Sequence, residues 1–196
     1  MSALLLGSGS AIRAQLLRGA GVSFEVERPQ VDEAALKRAW PDRSPAEVAV
    51  GLAEAKAAEV SLRFPDALVI GADQTLELAG RLYDKATDAA EARERLLALR
   101  GREHRLNAGT ALARGGEIVW SDLQVSRMRV RKFTDAWLDD YMEQAGGALT
   151  ASVGAYEYEG LGVQLFDGVK GDFYAVLGLP LVPLLEALRA EGALPE

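Results

Sequence analysis

"ALVIGADQTLEL", residues 67–78, is the stretch on which the fold turns. Ala67 to Ala72 is an unbroken apolar run of the length expected for a buried strand. Gln74–Leu78 carries the pattern onward, and Ala79-Gly80 makes a turn. Asp73 is then expected at the end of the buried run, where open α/β sheets bind their ligands. A carboxylate there is a candidate functional group, and the same residue also serves as a turn-former.

Working towards the N-terminus, "MSALLLGSGSAIRAQLLRGAG", residues 1–21, reads as a strand over Ala3–Leu6, a Gly-Ser-Gly-Ser turn, and a helix from Ser10 to about Gly19 with Ser10 as N-cap. A secretory leader needs a basic start and an apolar core of roughly 7–15 residues. Here Gly7 and Ser8 break the run after Leu6, so no leader is expected and the cytoplasm is the expected location. Val22–Glu27 alternates like a second strand. Ser44-Pro45-Ala46-Glu47 is a capping box with proline at the first helical position, opening a helix to about Arg63.

Towards the C-terminus, Asp88–Leu99 is a helix closed near Gly101. His104–Ala113 and Glu117–Val130 form a hairpin around Arg114-Gly115-Gly116. Thr134 caps a short helix ending at Gly146-Gly147, and Ser152–Gly171 reads as a glycine-rich strand and loop. "VLGLPLVPLLEALRAEG", residues 176–192, supplies a C-terminal helix. This order implies a mixed α/β fold with an antiparallel insert, organised as a single domain over residues 1–196.

Composition narrows the chemistry. With 196 residues, 49% hydrophobic and 26% charged, the chain has the makeup of an ordinary globule. No apolar run approaches the ~20 residues that span a bilayer, so no membrane partner is expected. A net charge of −7 argues against a nucleic-acid partner, because such binding rests on Lys and Arg neutralising phosphates. There is no cysteine and one histidine, His104, which reads as a hydrogen-bonding structural residue. A zinc site wants several such ligands. A metal here must be hard and oxygen-liganded, which means Mg²⁺ or Mn²⁺.

Each motif has a bland reading beside a functional one. Gly7-Ser8-Gly9-Ser10 completes neither G-x-G-x-x-G nor G-x-x-x-x-G-K-[ST]. Its backbone N–H groups at a helix start still suit an anion, with Arg13 in the first turn, and a plain capped turn would look the same. Asp32 and Glu33 are carboxylates at a helix start, where caps and dipole partners are common. Lys56 lies among alanines in the capped helix, and Lys85 follows the turn after residue 80. "VGAYEYEGLGVQLF", residues 153–166, packs glycines around Tyr156, Glu157, Tyr158 and Glu159. Aromatic rings with a carboxylate suit the face and edge of a nucleobase, and a bulged edge strand would read much the same.

Taken in order, "LLLGSGSAIR", "VDE", "LAEAK", "VIGADQ", "DK", "LRGREH", "GAYEYEG" and "GDFYAVLGLPL" resemble the Maf family of nucleoside triphosphate pyrophosphatases. The likeness runs from Leu4 to about Arg189 and is nearer to the 7-methyl-GTP pyrophosphatase group. It implies a fold shared with inosine triphosphate pyrophosphatases: a curved mixed sheet with flanking helices and a cleft between two lobes. It also implies hydrolysis of a nucleoside triphosphate to the monophosphate and pyrophosphate, dependence on Mg²⁺ or Mn²⁺, and in many members a homodimer. By position, Asp73 matches the catalytic carboxylate, and Glu33, Lys56 and Lys85 match charged cleft residues. Glu33 and Asp73 would hold the metal, Asp73 serving as general base, metal ligand or both. Ser8 and Arg13 match residues beside the triphosphate, Arg13 as a bidentate fork, and Ile12, Gln74 and Glu159 fall at positions tied to base preference. Two places depart from the pattern: Ala11-Ile12 stands where Pro-Arg or Pro-Trp is usual, and Asp84-Lys85-Ala86 where Gly-Lys-Pro is usual. Those departures motivate the alternative of a catalytically inactive nucleotide-binding protein of the same fold.

Overall fold

The computed structural model describes residues 3–195, so the expected domain limits at residues 1 and 196 lie outside the described residues. Residues 67–78 form the spine of the molecule, as a single strand β3 over Leu68–Leu78. Strand β1 (Leu4–Gly7) pairs with it in parallel, from Leu4 opposite Leu68 to Gly7 opposite Gly71. On its other side β5 (Glu103–Arg114) runs antiparallel, from Val69 opposite Ala113 to Glu77 opposite Arg105. Asp73 is therefore in the middle of β3. The strand that ends there is β1, two residues short of Asp73, and this leaves the middle of β3 open along one edge.

Strand β2 is shorter than expected, Glu25–Val26, and flanks β1. Strand β4 (Arg81–Tyr83) folds back on Leu76–Leu78 after the Ala79-Gly80 turn. Beyond β5 come β6 (Glu117–Val130) and β7 (Phe166–Lys170). Among the described residues the sheet has seven strands in the order β2-β1-β3-β5-β6-β7 with β4 beside β3. It is mixed because the β1 pairings are parallel and the others antiparallel.

Helix α1 covers Ala11–Gly19, α2 Glu33–Ala39, and α3 Pro45–Arg63. The expected capping box of α3 is present in both directions between Ser44 and Glu47. Its alanines let α3 lie directly on the strands, and the glycines beneath are needed for that approach. A Cβ on Gly71 would stand 2.1 Å from the Ala53 carbonyl oxygen, and one on Gly109 2.5 Å from that of Ala49.

The opposite face of the sheet carries two apolar clusters. On β3 alternate residues share a face, so Ile70 and Ala72 join the cluster of Leu6, Leu17, Leu112 and Leu184. Leu76 and Leu78 join that of Leu96, Leu106, Met128 and Leu138. Gln74 falls between the two. Helices α4 (Ala89–Leu99) and α5 (Asp135–Ala145) pack on the second cluster, and α8 (Leu181–Ala190) on the first.

Short elements depart most from expectation. Residues 152–165 are turns and a 3₁₀ helix, Leu161–Leu165, with β7 beginning only at Phe166. Before them lies α6, Ala148–Ala151. The Ser152 hydroxyl bonds both the N–H and the carbonyl of Tyr156, at 3.0 and 2.5 Å, closing a tight loop where an extended strand was expected. The C-terminal helix begins only at Leu181, as α8, because Gly178 adopts φ +87° and Pro180 follows; a short helix α7 (Phe173–Val176) precedes it.

His104 is buried on the second cluster, its Nε2 2.7 Å from the Tyr156 hydroxyl. Burial lowers its pKa from 6.5 to about 3, so it stays neutral in the folded protein. In the unfolded chain it gains a proton near 6.5, so stability is full above that pH and is lost as pH falls towards 3. The loss approaches about 1.4 kcal/mol per pH unit for one proton. Urea unfolding of the wild type and His104→Gln should therefore show a stability difference that is constant above pH 7 and shrinks below 6. A difference independent of pH would place the titration elsewhere.

Candidate active site

Where β1 stops, a cleft of about 800 Å³ opens between the β1–α1 loop, α2, α3, the exposed edge of β3, the loop after β4 and residues 151–159. That volume lies within the range of small-molecule sites, ~300–1,000 Å³.

At its floor, Lys56 extends from α3 to Asp73 on β3 and Glu33 at the start of α2. Its Nζ lies 2.7 Å from Asp73 Oδ1 and 2.7 Å from Glu33 Oε1. Lys56 is buried, although helix lysines are commonly at the surface. A signal for this exists in the sequence: Ala49, Leu52, Ala53, Lys56 and Val60 follow the helical i, i+3, i+4, i+7, i+11 pattern on the face of α3 that meets the sheet. Asp73 is nearly buried, and desolvation raises its pKa above the ordinary carboxylate value. Lys56 and Arg13 oppose that shift, and Glu33 adds to it.

Arg13 is engaged inside the protein. Ser10 caps α1, and from its first turn Arg13 donates Nε to the Gly178 carbonyl at 2.9 Å. Nη1 donates to the Ala72 carbonyl at 2.9 Å and to Ser8 Oγ at 3.1 Å. Three segments distant in sequence are joined at one guanidinium, whose fork is therefore mostly spent. Burial lowers its pKa, against the pull of Asp73 and Glu33. Ser8 is buried beneath it.

Gln74 lines the cleft, but its amide NH₂ donates to the carbonyls of Ala175 and Val176, both at 3.0 Å. Two carbonyl acceptors fix the amide orientation and leave only Oε1 to face a ligand. Tyr156, one of two aromatic candidates, is buried with its hydroxyl on His104 and offers no stacking face. Tyr158 is half-buried, its ring 5.6 Å from that of Phe166, and lines the cleft beside the exposed Glu157 and Glu159. Ile12 is half-buried on the opposite wall, and Lys85 is exposed at the mouth.

Two further residues shape the cleft and were not anticipated. Lys37, one turn after Glu33 on α2, is paired with Asp84 across the mouth. Arg95 is buried in α4 and donates to the carbonyls of Asp84 and Val153 and to Glu91, the last at 3.0 Å. It thereby joins the loop carrying Lys85 to the segment carrying Glu157 and Glu159. In sequence, Glu91 and Arg95 look like a solvated i,i+4 pair, and nothing local marks the arginine as buried.

The cleft is not positive on balance: four basic side chains face five acidic ones. An anionic ligand would need cationic charge brought with it. Glu33 and Asp73 already converge on one cation, the Lys56 ammonium. Among the described residues no group of three or more His, Cys, Asp and Glu side chains could hold a metal. This donor set suits Mg²⁺, which is commonly held by one or two carboxylates together with substrate phosphates.

The chain matches the family of Maf-like proteins over residues 3–191. A nucleoside triphosphate pyrophosphatase of Maricaulis maris (strain MCS10) is 55% identical over 196 residues, covering 100% of both chains. A protein of the same name from Caulobacter vibrioides (strain ATCC 19089 / CIP 103742 / CB 15) is 50% identical, covering 99% of this chain and 98% of its own. A 7-methyl-GTP pyrophosphatase of Rhizobium meliloti (strain 1021) is 45% identical, covering 97% of each.

Proposed function

Because the chain belongs to the Maf family, we propose that it hydrolyses a nucleoside triphosphate to the nucleoside monophosphate and pyrophosphate. The observation that carries the residue assignment is the buried Asp73 with its raised pKa, held by Lys56 at the open edge of β3. A raised pKa makes the Asp73 carboxylate, once ionised, a stronger base than an ordinary one. Asp73 accepts a proton from the attacking water, the water oxygen bonds to the α-phosphorus, and the bond from that phosphorus to the bridging oxygen breaks. The electron pair leaves with pyrophosphate.

Lys56 holds Asp73 in place and, with Lys85, lowers the charge facing the phosphates. Arg13 keeps the loop of Ser8 against β3 and offers its remaining amino group, Nη2, to the phosphates. A divalent cation, Mg²⁺ or Mn²⁺, would be held by Glu33 and Asp73 and would supply charge neutralisation at the phosphate oxygens. The two apolar clusters on one sheet support a single domain, 1–196, of two lobes. No helix among the described residues is long and apolar enough to cross a membrane. The substrate class fits the cytoplasm. A homodimer is supported by the outer edge of β6 from Glu117 to Ser126, which has no strand beside it among the described residues.

For the base we infer a guanine type, with 7-methyl-GTP ahead of UTP and dTTP. Ionised Glu159 only accepts hydrogen bonds, and the free atom of Gln74 is likewise an acceptor. Guanine presents adjacent N1–H and N2–H donors, whereas uracil presents one N3–H between two carbonyls. Methylation at N7 makes the base cationic, which favours Glu159 and the face of Tyr158. The experiment is a nucleotide panel with Mg²⁺, reading pyrophosphate and orthophosphate. Pyrophosphate is the expected product, with kcat/KM favouring the guanine nucleotides by ~10–100-fold, equivalent to about 1.4–2.8 kcal/mol. Glu159→Gln should move preference towards UTP. Orthophosphate as the sole first product would reject the reaction, and UTP or dTTP leading on the wild type would reject the base assignment alone.

A further inference from the structure

Helix α2 buries none of its side chains. It faces the cleft through residues one turn apart, Glu33 and Lys37, which share a helix face. Glu33 meets Lys56, and Lys37 meets Asp84 on the loop that also carries Lys85. The Asp84 side chain is 66% exposed and that of Lys37 25%. An ion pair so open to water adds little net stability and is easily exchanged. A carboxylate oxygen on an ammonium group makes the same contact that a phosphate oxygen would. Displacing Asp84 turns one acid out of a cleft in which acids outnumber bases, while the charge of the phosphates still needs the cation brought with them.

We propose that Lys37 is a further triphosphate-binding residue and that Asp84 is an internal competitor, occupying Lys37 until a phosphate oxygen displaces it. This rests on the reading of the substrate as a triphosphate. On binding, Lys37 turns from Asp84 to the phosphates and draws α2 onto the substrate, a movement open to a helix with no buried side chain to hold it. The Asp84 carboxylate is released to water at the mouth. Removing this acid from the cleft should therefore strengthen substrate binding.

The test is calorimetric titration of inorganic tripolyphosphate with Mg²⁺ into the full chain, alongside KM for the best nucleotide. Asp84→Asn should tighten binding by about three- to tenfold, the scale of one exposed charge contact. Lys37→Ala should weaken it by a similar factor, and Lys37→Arg should restore it. In the double variant Asp84→Asn should add nothing to Lys37→Ala, since the competitor has lost its target. Asp84→Asn that leaves affinity unchanged or weaker overturns the proposal. So does the same tightening with Lys37 absent, which would make Asp84 a general repulsive charge. Neither side chain is buried, and far-UV circular dichroism serves as the check that each variant is folded. The nucleotide assay stands apart: no pyrophosphate from any triphosphate, with tripolyphosphate binding still responding as described, would reject the hydrolytic reading and retain the Lys37 site.

Discussion

Asp73→Asn is expected to lower kcat by ~10²–10⁴-fold, the usual loss when a general base is removed, while folding is retained. Asparagine keeps the shape, and its carbonyl oxygen can still accept the 2.7 Å bond from Lys56 Nζ. What it lacks is a site for the proton of the attacking water. The stability side has a definite sign. Burial raises the Asp73 pKa above its unfolded value, so its ionisation costs the fold stability as pH rises through the folded value. The asparagine variant is free of that cost, which partly offsets the loss of a charged partner for Lys56. Pyrophosphate release and urea unfolding measured on the same preparation separate the two effects. A folded variant keeping more than half the wild-type kcat would remove Asp73 from the chemistry.

Lys56→Met should lower kcat/KM by ~10²–10³-fold, the scale reported for losing one preorganised electrostatic contact, and should also change the pH profile. Three charged groups face Asp73 from three helices: Lys56 from α3, Arg13 from α1 and Glu33 from α2. Lys56 exerts the largest downward pull on the Asp73 pKa. Without it, burial and Glu33 act against Arg13 alone, and Asp73 titrates at higher pH. The acid limb of kcat/KM, which reports ionisation of the base in the free enzyme, should move to higher pH. Methionine fills the space of the lysine stem, so the alanine contacts of α3 are kept. A large loss with an unmoved acid limb would mean that the limb belongs to another group and would separate Lys56 from the proton transfer.

The cleft lies between elements whose signals differ in kind. The capping box at Ser44 and Glu47, the Ser10 and Thr134 caps, and the glycine turns of the long hairpin are local, and the corresponding elements form where expected. The β1–β3 spine was legible because apolar runs of that length bury as strands. The start of α2 was legible too, since Asp32 caps it and Glu33 opens it, as carboxylates at a helix start commonly do. Helix α7 and the 3₁₀ helix at Leu161–Leu165 were not, because elements this short are not stable alone and form through tertiary contacts.

For the site, the sequence by itself determined the charge inventory: an acid after a buried apolar run, a lysine in the capped helix, a serine and an arginine at the first turn, and no cysteine. Only the tertiary structure decided how each is used. Asp73 is reachable because β1 ends at Gly7, a fact about the neighbouring strand. Arg13 is largely spent on Ala72 and Gly178, and Gln74 on Ala175 and Val176, through bonds spanning 59 to 165 residues of chain. Arg95 and Lys37 join the cleft through partners brought from the loop after β4 and residues 151–159. A side chain's charge is carried by its own residue, whereas its desolvation and its hydrogen-bond partners are set by what the fold places against it.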